Sequence, residues 1–592
     1  MIMIEDSLTL ILIVVMDLKL ATYFTAFDVE RVLRDVMTRN KISSLLKEMN
    51  ITKIYLENYR DGYLLSTDEM SKVKHLFEKE FEVAGGVAIG TWGEGWGEKR
   101  SLGFNVICIS DDKNKELVGK VMSQQATIFD EIIIDDFWSN WCYSDHDVEL
   151  FNERFGFSLT KERLIESIRK GDAMISSLWA VYSTELLLDV SKKYVVDVSR
   201  RVNPRVKITL KLPEWREDFY HRGLFLNKLK EMFDSIYVGT ESREGTGRYG
   251  SFFIANFVKA LVGDKLLGVW FDQGNGFNWS IPTAVKSYLE QALLSLLSLT
   301  REVTLFHAGS LLGYYNELTA ELKSKLKGVI DLRNKLKGNL SGIKVPVTQP
   351  IYSNSSDRYI EDYLGMIGIP LLPSNNFNEG DYVLITDKWI RQGDIFDLVR
   401  KKVSLILTSS ATEVIAKGGY IDGLELVDDV IHVKAFIKGD KFYSMDHRRQ
   451  IGFPVGPIVD YKGKEEILLY ATDGNRSYPV LHKIAYDNSI VYLLSLTKYT
   501  PYLVEYYPEI VRQTMRDIVY DYLGFTLESD MPLFNVCLIP YDKRVIVLNM
   551  NDYDIEIKFR IRDNLANVKT DNQLNKVRVP KGNFIDIQLK RE

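Results

Sequence analysis

The sequence predicts an α/β protein: a (β/α)8 TIM barrel, then a flavodoxin- or amidotransferase-like α/β domain, then a small C-terminal β-sandwich. Three observations predict it. From about residue 19, short apolar runs rich in β-branched residues alternate with helical periodicity eight times, the pattern and size of a (β/α)8 barrel with insertions. A second, shorter strand–helix alternation follows, of the doubly wound kind. The final segments (VCLIPYDKRVIVLNM, YDIEIKFRIRD, NFIDIQL) then alternate apolar and polar residues with period two, which argues antiparallel strands.

The barrel strands are expected at Leu20–Thr25, Lys53–Glu57, Glu82–Ile89, Glu131–Asp136, Lys207–Lys211, Ser235–Thr240, Leu266–Phe271 and Val303–His307. Helical periodicity fills the gaps at 27–49, 66–80, 113–124, 160–199, 222–232, 250–261 and 283–298. The chain divides into a surface segment or start-site extension at 1–15, a barrel at 16–338, an amidotransferase-like domain at 339–530 and a sandwich at 531–592. In the second domain, strands at Tyr382–Ile385 and Ser404–Thr408 alternate with helices at Gln392–Lys402 and Ala411–Lys417. Strands near Ile467–Ala471 and Val491–Ser495 and a helix at Tyr507–Leu523 close it. Its Leu407-Thr408-Ser409-Ser410-Ala411 turn carries no cysteine where an amidotransferase nucleophile would sit, so this domain reads as non-catalytic.

The most informative stretch is 131–142, EIIIDDFWSNWC. Glu131–Ile134 has the apolar pattern of a strand buried on both faces, which puts Asp135 and Asp136 at its C-terminal end. That end of a barrel strand is where reacting groups are mounted. Trp138 and Trp141 offer the flat apolar faces against which sugar rings stack. Polar groups recur at the same end of nearly every strand: Glu57-Asn58-Tyr59-Arg60, Thr91-Trp92-Gly93-Glu94, Lys211, Glu241, Asp272-Gln273 and His307. Acids beside aromatic platforms point to carbohydrate chemistry. The competing reading of the Asp pair is a helix cap, with the tryptophans as core.

Composition narrows the classes. Hydrophobic content of 46% and charged content of 26% are those of a globular protein. The net charge of −6, without a basic run, argues against nucleic acid. Cys108, Cys142 and Cys537 lie far apart without a CxxC pair, so neither a disulfide framework nor a thiolate zinc site is expected from spacing. No motif announces a metal or cofactor. The apolar run Leu8–Met16 is short for a bilayer and follows Glu5 and Asp6 rather than a basic start. A cytoplasmic protein without a membrane partner is expected.

This order of barrel, cysteine-less amidotransferase-like domain and small sandwich resembles the family 42 β-galactosidases of the glycoside hydrolases, and their hypothetical barrel relatives with the same trimerisation domain. The resemblance implies a carbohydrate substrate and a homo-oligomer, a trimer or else a dimer. Family 42 places Asn-Glu after the fourth strand, with Glu as general acid, and a nucleophilic Glu after the seventh. Here those positions read Asp135-Asp136 and Asp272. An Asp after the fourth strand also resembles the α-galactosidase and α-fucosidase barrels, whose Lys-x-Asp version this chain lacks.

Glycoside hydrolysis needs two carboxyl groups, one donating a proton to the leaving oxygen and one attacking or activating water. The leading acids are Asp136, Glu241 and Asp272, with Asp135 next, because alternation lets only one of Asp135 and Asp136 face the axis. Glu57 lies with Asn58 at the end of the second strand. Arg60, Lys211 and Arg243 suit sugar hydroxyls or an anionic substituent. Asn58 and Gln273 suit hydroxyls, and Trp92, Trp138, Trp141 and Trp270 suit stacking, with at least one of these tryptophans expected in the core. His307 closes the eighth strand in reach of a substrate. The expected function is an O-glycosidase, with retention implied by the resemblance to the related barrels. The alternative is a catalytically inactive barrel that binds carbohydrate or serves assembly.

Overall fold

The computed structural model describes residues 18–89, 98–99, 105–135, 138–241, 247–272, 281–312, 316–336, 338–347, 349, 355–390, 393–444, 452–499, 501–562 and 576–589. The expected N-terminal extension, residues 1–15, lies outside them.

Eight parallel strands close into a barrel: β1 (Lys19–Phe24), β2 (Lys53–Glu57), β3 (Glu82–Val87), β4 (Glu131–Ile134), β5 (Lys207–Leu212), β6 (Ser235–Gly239), β7 (Leu266–Phe271) and β8 (Glu302–Phe306). Successive strands pair in order, and β8 pairs back onto β1. Large aromatic side chains fill the interior: Tyr23, Tyr55, Tyr237 and Trp270 pack with Ala21, Ala84 and Ile133. Glycines make room for them. A Cβ on Gly86 would come within 2.7 Å of the Tyr23 ring, and one on Gly268 within 2.5 Å of Tyr237.

The N-terminal end of the barrel is closed by charge. Lys53, the first residue of β2, reaches Glu131 at 2.6 Å and Glu302 at 3.1 Å, which open β4 and β8. Tyr55 and Tyr237 donate to Glu302 at 2.5 and 2.9 Å. These buried groups satisfy one another, so the strands' hydrophilic starts are tolerated in the core. The opposite end is left for function.

Two expected helices are broken, each by a residue that caps. The 27–49 stretch splits into α1 (Ala26–Arg34) and α2 (Val36–Glu48). Asp35 leaves helical geometry and accepts from the Met37 and Thr38 amides, so its side chain satisfies the new helix's first donors. Likewise Gly171, at φ +75°, ends one helix and Asp172 caps the next, Ala173–Val190. Helical periodicity ran through both breaks because the apolar face continues across them.

Beyond the barrel stands a nine-stranded sheet: β9 (Ile343–Pro346), β10 (Leu371–Ser374), β11 (Tyr382–Ile385), β12 (Ser404–Leu407), β13 (Ala435–Lys438), β14 (Lys441–Ser444), β15 (Glu465–Thr472), β16 (Ser477–Tyr486) and β17 (Ser489–Leu494). Their order is β10-β9-β11-β12-β17-β16-β15-β13-β14. The first five are parallel in the 2-1-3-4-5 order of flavodoxin-like sheets. The last four extend it with antiparallel strands, of which only the one near Ile467–Ala471 was expected. The chain ends in two three-stranded antiparallel sheets, β18 (Phe525–Glu528) with β21 (Ile555–Ile561) and β22 (Val577–Val579), and β19 (Val536–Tyr541) with β20 (Arg544–Asn549) and β23 (Asn583–Gln588). Phe525, Leu538, Val547 and Phe559 lie in the core they share.

The barrel is fastened to the nine-stranded sheet by buried ions on the loop after β5. Arg216 contacts Glu361 and Asp362, each at 3.0 Å, and Glu217 meets Lys388 at 2.6 Å. Burial pushes the Asp362 carboxyl up to about 7 despite the guanidinium. Among the described residues, no helix is long and apolar enough to cross a membrane.

Candidate active site

At the C-terminal end of the barrel, five side chains of alternating charge run across the mouth. Glu57 ends β2, fully buried. Arg60 follows on a short hairpin whose Asp61-Gly62 turn has φ of +53° and +81°, the two positive values that a two-residue turn of this hand requires. The hairpin aims the guanidinium back at Glu57, with Nε 2.8 Å from Oε1 and one terminal nitrogen 2.7 Å from Oε2. The same nitrogen lies 3.1 Å from Asp135 Oδ2. Lys211 Nζ, from β5, is 3.6 Å from Asp135 Oδ1 and 3.1 Å from Glu241 Oε1. Glu241 folds back over Gly239, where any Cβ would collide with its carboxylate.

Asp135 belongs to the axis side of β4. Ile133 packs among the barrel-interior aromatics, whereas Ile132 and Ile134 face the outer core. Asp135 continues the Ile133 face and stays buried. Asp136, ranked first from sequence, lies outside the described residues, as do Trp92, Arg243 and Gln273.

The electrostatics follow from this packing. Burial pushes the Glu57 carboxyl above its usual range, although Arg60, Tyr23 and the Ala26 amide all favour its ionised form. Burial alone would weaken the Arg60 cation; Glu57 and Asp135 outweigh that and hold it protonated. Tyr23 donates to Glu57 at 2.7 Å, and burial and then that carboxylate raise its hydroxyl well above the ordinary tyrosine value. Lys211 also lies 4.6 Å from the centroid of Trp270, a cation–π contact inside the wall.

Several expected binding roles are corrected by burial. Trp138 is fully buried and donates to Ser191 at 2.9 Å, so it is a core residue rather than a stacking platform. Trp270 is 1% exposed, covered by Tyr23 and Phe306, and supports Lys211 from beneath. Asn58 is fully buried and donates to the Val121 carbonyl and to Gln124. It ties the β2 loop to the helix after β3, Asp112–Ile128, instead of meeting a sugar. Trp141 is buried too: its ring carries the Arg222 guanidinium 3.2 Å above its centroid and packs edge-on against Trp215, which is only half-buried. Asp272 follows β7, buried, and its carbonyl accepts from Gln291 at 3.0 Å. His307 follows β8, its Nδ1 2.7 Å from Asp28.

Sequence reading missed Tyr23, Asp28, Trp215 and Arg222. Asp28 had a signal, since Thr25-x-x-Asp28 forms a capping box. Tyr23 was hidden in an ordinary apolar strand. The cysteines need a correction too: Cys108 and Cys142, 34 residues apart, are disulfide-bonded. They join the loop after β3 to the loop after β4, which spacing alone could not show. The Asp147 carboxylate lies within 4.8 Å of both sulfurs.

A closed (β/α)8 barrel with buried carboxylates converging on its open end is the frame of a glycoside hydrolase. Residues 13–329 match the family described as "Probable glycosyl hydrolase, catalytic domain", and the chain belongs to that family; it is an O-glycosidase, its sugar unspecified. Residues 338–499 and 502–583 match the second and third domains described for the uncharacterized protein SSO3021. That protein, from Saccharolobus solfataricus, is 44% identical over 92% of this chain and 93% of its own length. Among solved structures, an exo-β-1,4-mannosidase, Op5Man5 from Opitutaceae bacterium strain TAV5, is similar at 9% identity and TM-score 0.48, covering 86% of this chain and 96% of that one. The β-amylase catalytic domain of Paenibacillus polymyxa is similar at 10% identity and TM-score 0.36, covering 53% and 99%.

Proposed function

We propose that the protein cleaves O-glycosidic bonds by a two-carboxylate mechanism that retains the anomeric configuration. One observation carries this: Lys211 Nζ touches both Asp135 and Glu241, so the carboxylates at the ends of β4 and β6, on either side of β5, are drawn to one ammonium. Their facing oxygens are no further apart than those two contacts together. That is compatible with the separation of about 5–5.5 Å between the carboxyl groups of retaining enzymes.

In this reading Glu241 attacks the anomeric carbon and forms the glycosyl-enzyme. Lys211 offsets its charge until attack. Asp135, the axis-side carboxylate of the Asp135-Asp136 pair, donates the proton to the leaving oxygen and then takes one from water for the second displacement. Arg60, which contacts Asp135 from the β2 side, fixes a sugar hydroxyl. Asp272 is the alternative nucleophile from the seventh strand. Trp141 and Trp215 supply the aromatic wall.

The test is a panel of aryl α- and β-glycosides, with the anomer of the first-formed product followed by proton NMR. Turnover with retention supports the proposal. Inversion, or sugar binding without turnover on any member, contradicts it. The parallel 2-1-3-4-5 sheet further supports an amidotransferase-like middle domain, and the resemblance to family 42 is the ground for assigning it trimerisation.

A further inference from the structure

Outside the charge chain, the mouth holds a second arrangement of reactive groups that glycoside hydrolysis does not use. Ser310 Oγ is 2.8 Å from His307 Nε2, and His307 Nδ1 is 2.7 Å from Asp28 Oδ2. A carboxylate only accepts, so Nδ1 carries the proton and Nε2 of the neutral ring accepts from the serine hydroxyl. Burial would push the Asp28 carboxyl up, but His307 and Thr25 outweigh it and hold it below the usual range. Asp28 is fixed further by its capping box, accepting from the Thr25 amide at 3.1 Å.

The local sequence is shaped around this contact. A Cβ at Gly309 would collide with Asp28 Oδ1 and approach His307 Cε1 to 3.1 Å, so only glycine lets the carboxylate reach the ring. Asp28 is nine-tenths covered and His307 about one-fifth exposed, while Ser310 is half-buried. A buried acid, a histidine at the surface of the cleft and an accessible hydroxyl are the order of parts that activates a serine.

We propose that Ser310, His307 and Asp28 form an acyl-transfer site that hydrolyses small O-acyl esters, with acylated sugar hydroxyls as the substrate class. The sugar half of that statement rests on the glycosidase reading; the ester half does not. Ser310 Oγ attacks the acyl carbonyl as its proton passes to His307 Nε2. The ester C–O bond breaks and the leaving alkoxide takes that proton from His307. Water, deprotonated by the same nitrogen, then attacks the acyl-serine and releases the carboxylic acid. Asp28 stays ionised throughout as the positioning residue.

The test uses the full chain. A fluorophosphonate probe followed by peptide mapping is expected to place the adduct on Ser310, without reliance on any variant folding. Hydrolysis of p-nitrophenyl acetate is expected to fall on the order of 100-fold or more in Ser310→Ala. Asp28→Asn is expected to lower kcat while KM stays near its original value. Release of acetate from an acetylated aryl glycoside then tests the sugar half separately. An unmodified Ser310 in the mapped peptide, or acetate-ester hydrolysis unchanged in Ser310→Ala, overturns the proposal whatever the glycosidase assays give.

Discussion

Lys211 Nζ approaches Glu241 Oε1 to 3.1 Å although the two residues leave neighbouring strands of the barrel. The contact is possible because β5 delivers Lys211 to the axis while Gly239 gives Glu241 space to fold back over β6. It places a fixed positive charge beside the carboxylate read as nucleophile. Lys211→Ala removes that charge from both Glu241 and Asp135. Turnover on a working aryl glycoside should fall by at least about 10-fold, and Lys211→Arg should restore little, because a planar guanidinium does not replace a compact ammonium.

Arg60→Ala should cost stability as well as activity. It leaves Glu57 buried and without its guanidinium, and breaking a buried pair in this way costs about 3–5 kcal/mol. Urea denaturation of wild type and variant checks the size. A loss under about 1 kcal/mol would mean that Tyr23 and the Ala26 amide suffice to hold Glu57.

The Cys108–Cys142 bond closes 34 residues of chain. Loop-closure entropy predicts that Cys108→Ser lowers stability by about 3–4 kcal/mol. Melting of the wild-type protein with and without a strong reductant should show the same drop, and the variant should no longer respond to reductant.

His221 gives a pH signature. Burial pushes its imidazole down to about 4, with Arg222 and Arg358 adding to the effect and Asp218 opposing it. Between its unfolded value near 6.5 and about 4, the unfolded chain binds the proton first. The contribution is therefore full above pH 6.5 and lost as pH falls toward 4, roughly 3 kcal/mol in all. Asp357 and Asp362, pushed up to about 7 by burial, act in the opposite sense, losing their contribution as pH rises through 7. His221→Gln leaves them in place, so the difference between variant and wild type isolates the histidine. Denaturation midpoints at pH 7 and pH 4.5 measure it.

The middle domain should hold the protein together as a trimer, with a dimer as the alternative assembly. Light scattering at micromolar concentration checks this, and a monomer there would contradict it.

Particular residues show how far the sequence reached. The strands Lys53–Glu57 and Leu266–Phe271 were legible to the residue, because each is a short apolar run bounded by polar residues. Glu57, Arg60, Asp135, Lys211 and Glu241 were legible as strand-end polar groups, since a barrel repeats its geometry at every strand. Their joining into one chain of contacts was not, because it depends on the Asp61-Gly62 turn and on the space at Gly239. Trp138 and Asn58 carried the residue types of a sugar site, but side-chain direction decided otherwise: Trp138 points at Ser191 and Asn58 at the Val121 carbonyl. The cysteine pair was illegible for the same reason. Loops 34 residues apart meet only once adjacent strands β3 and β4 have paired.

The central claim is that Glu241 is the nucleophile of a retaining glycosidase. Its most direct test is trapping with a 2-deoxy-2-fluoro aryl glycoside of whichever sugar the substrate panel identifies, followed by peptide mapping. The account predicts one covalent glycosyl adduct on Glu241, and its absence in Glu241→Gln. An adduct on Asp272 or Asp136, or a protein that turns the glycoside over while Glu241 stays unmodified, would contradict it.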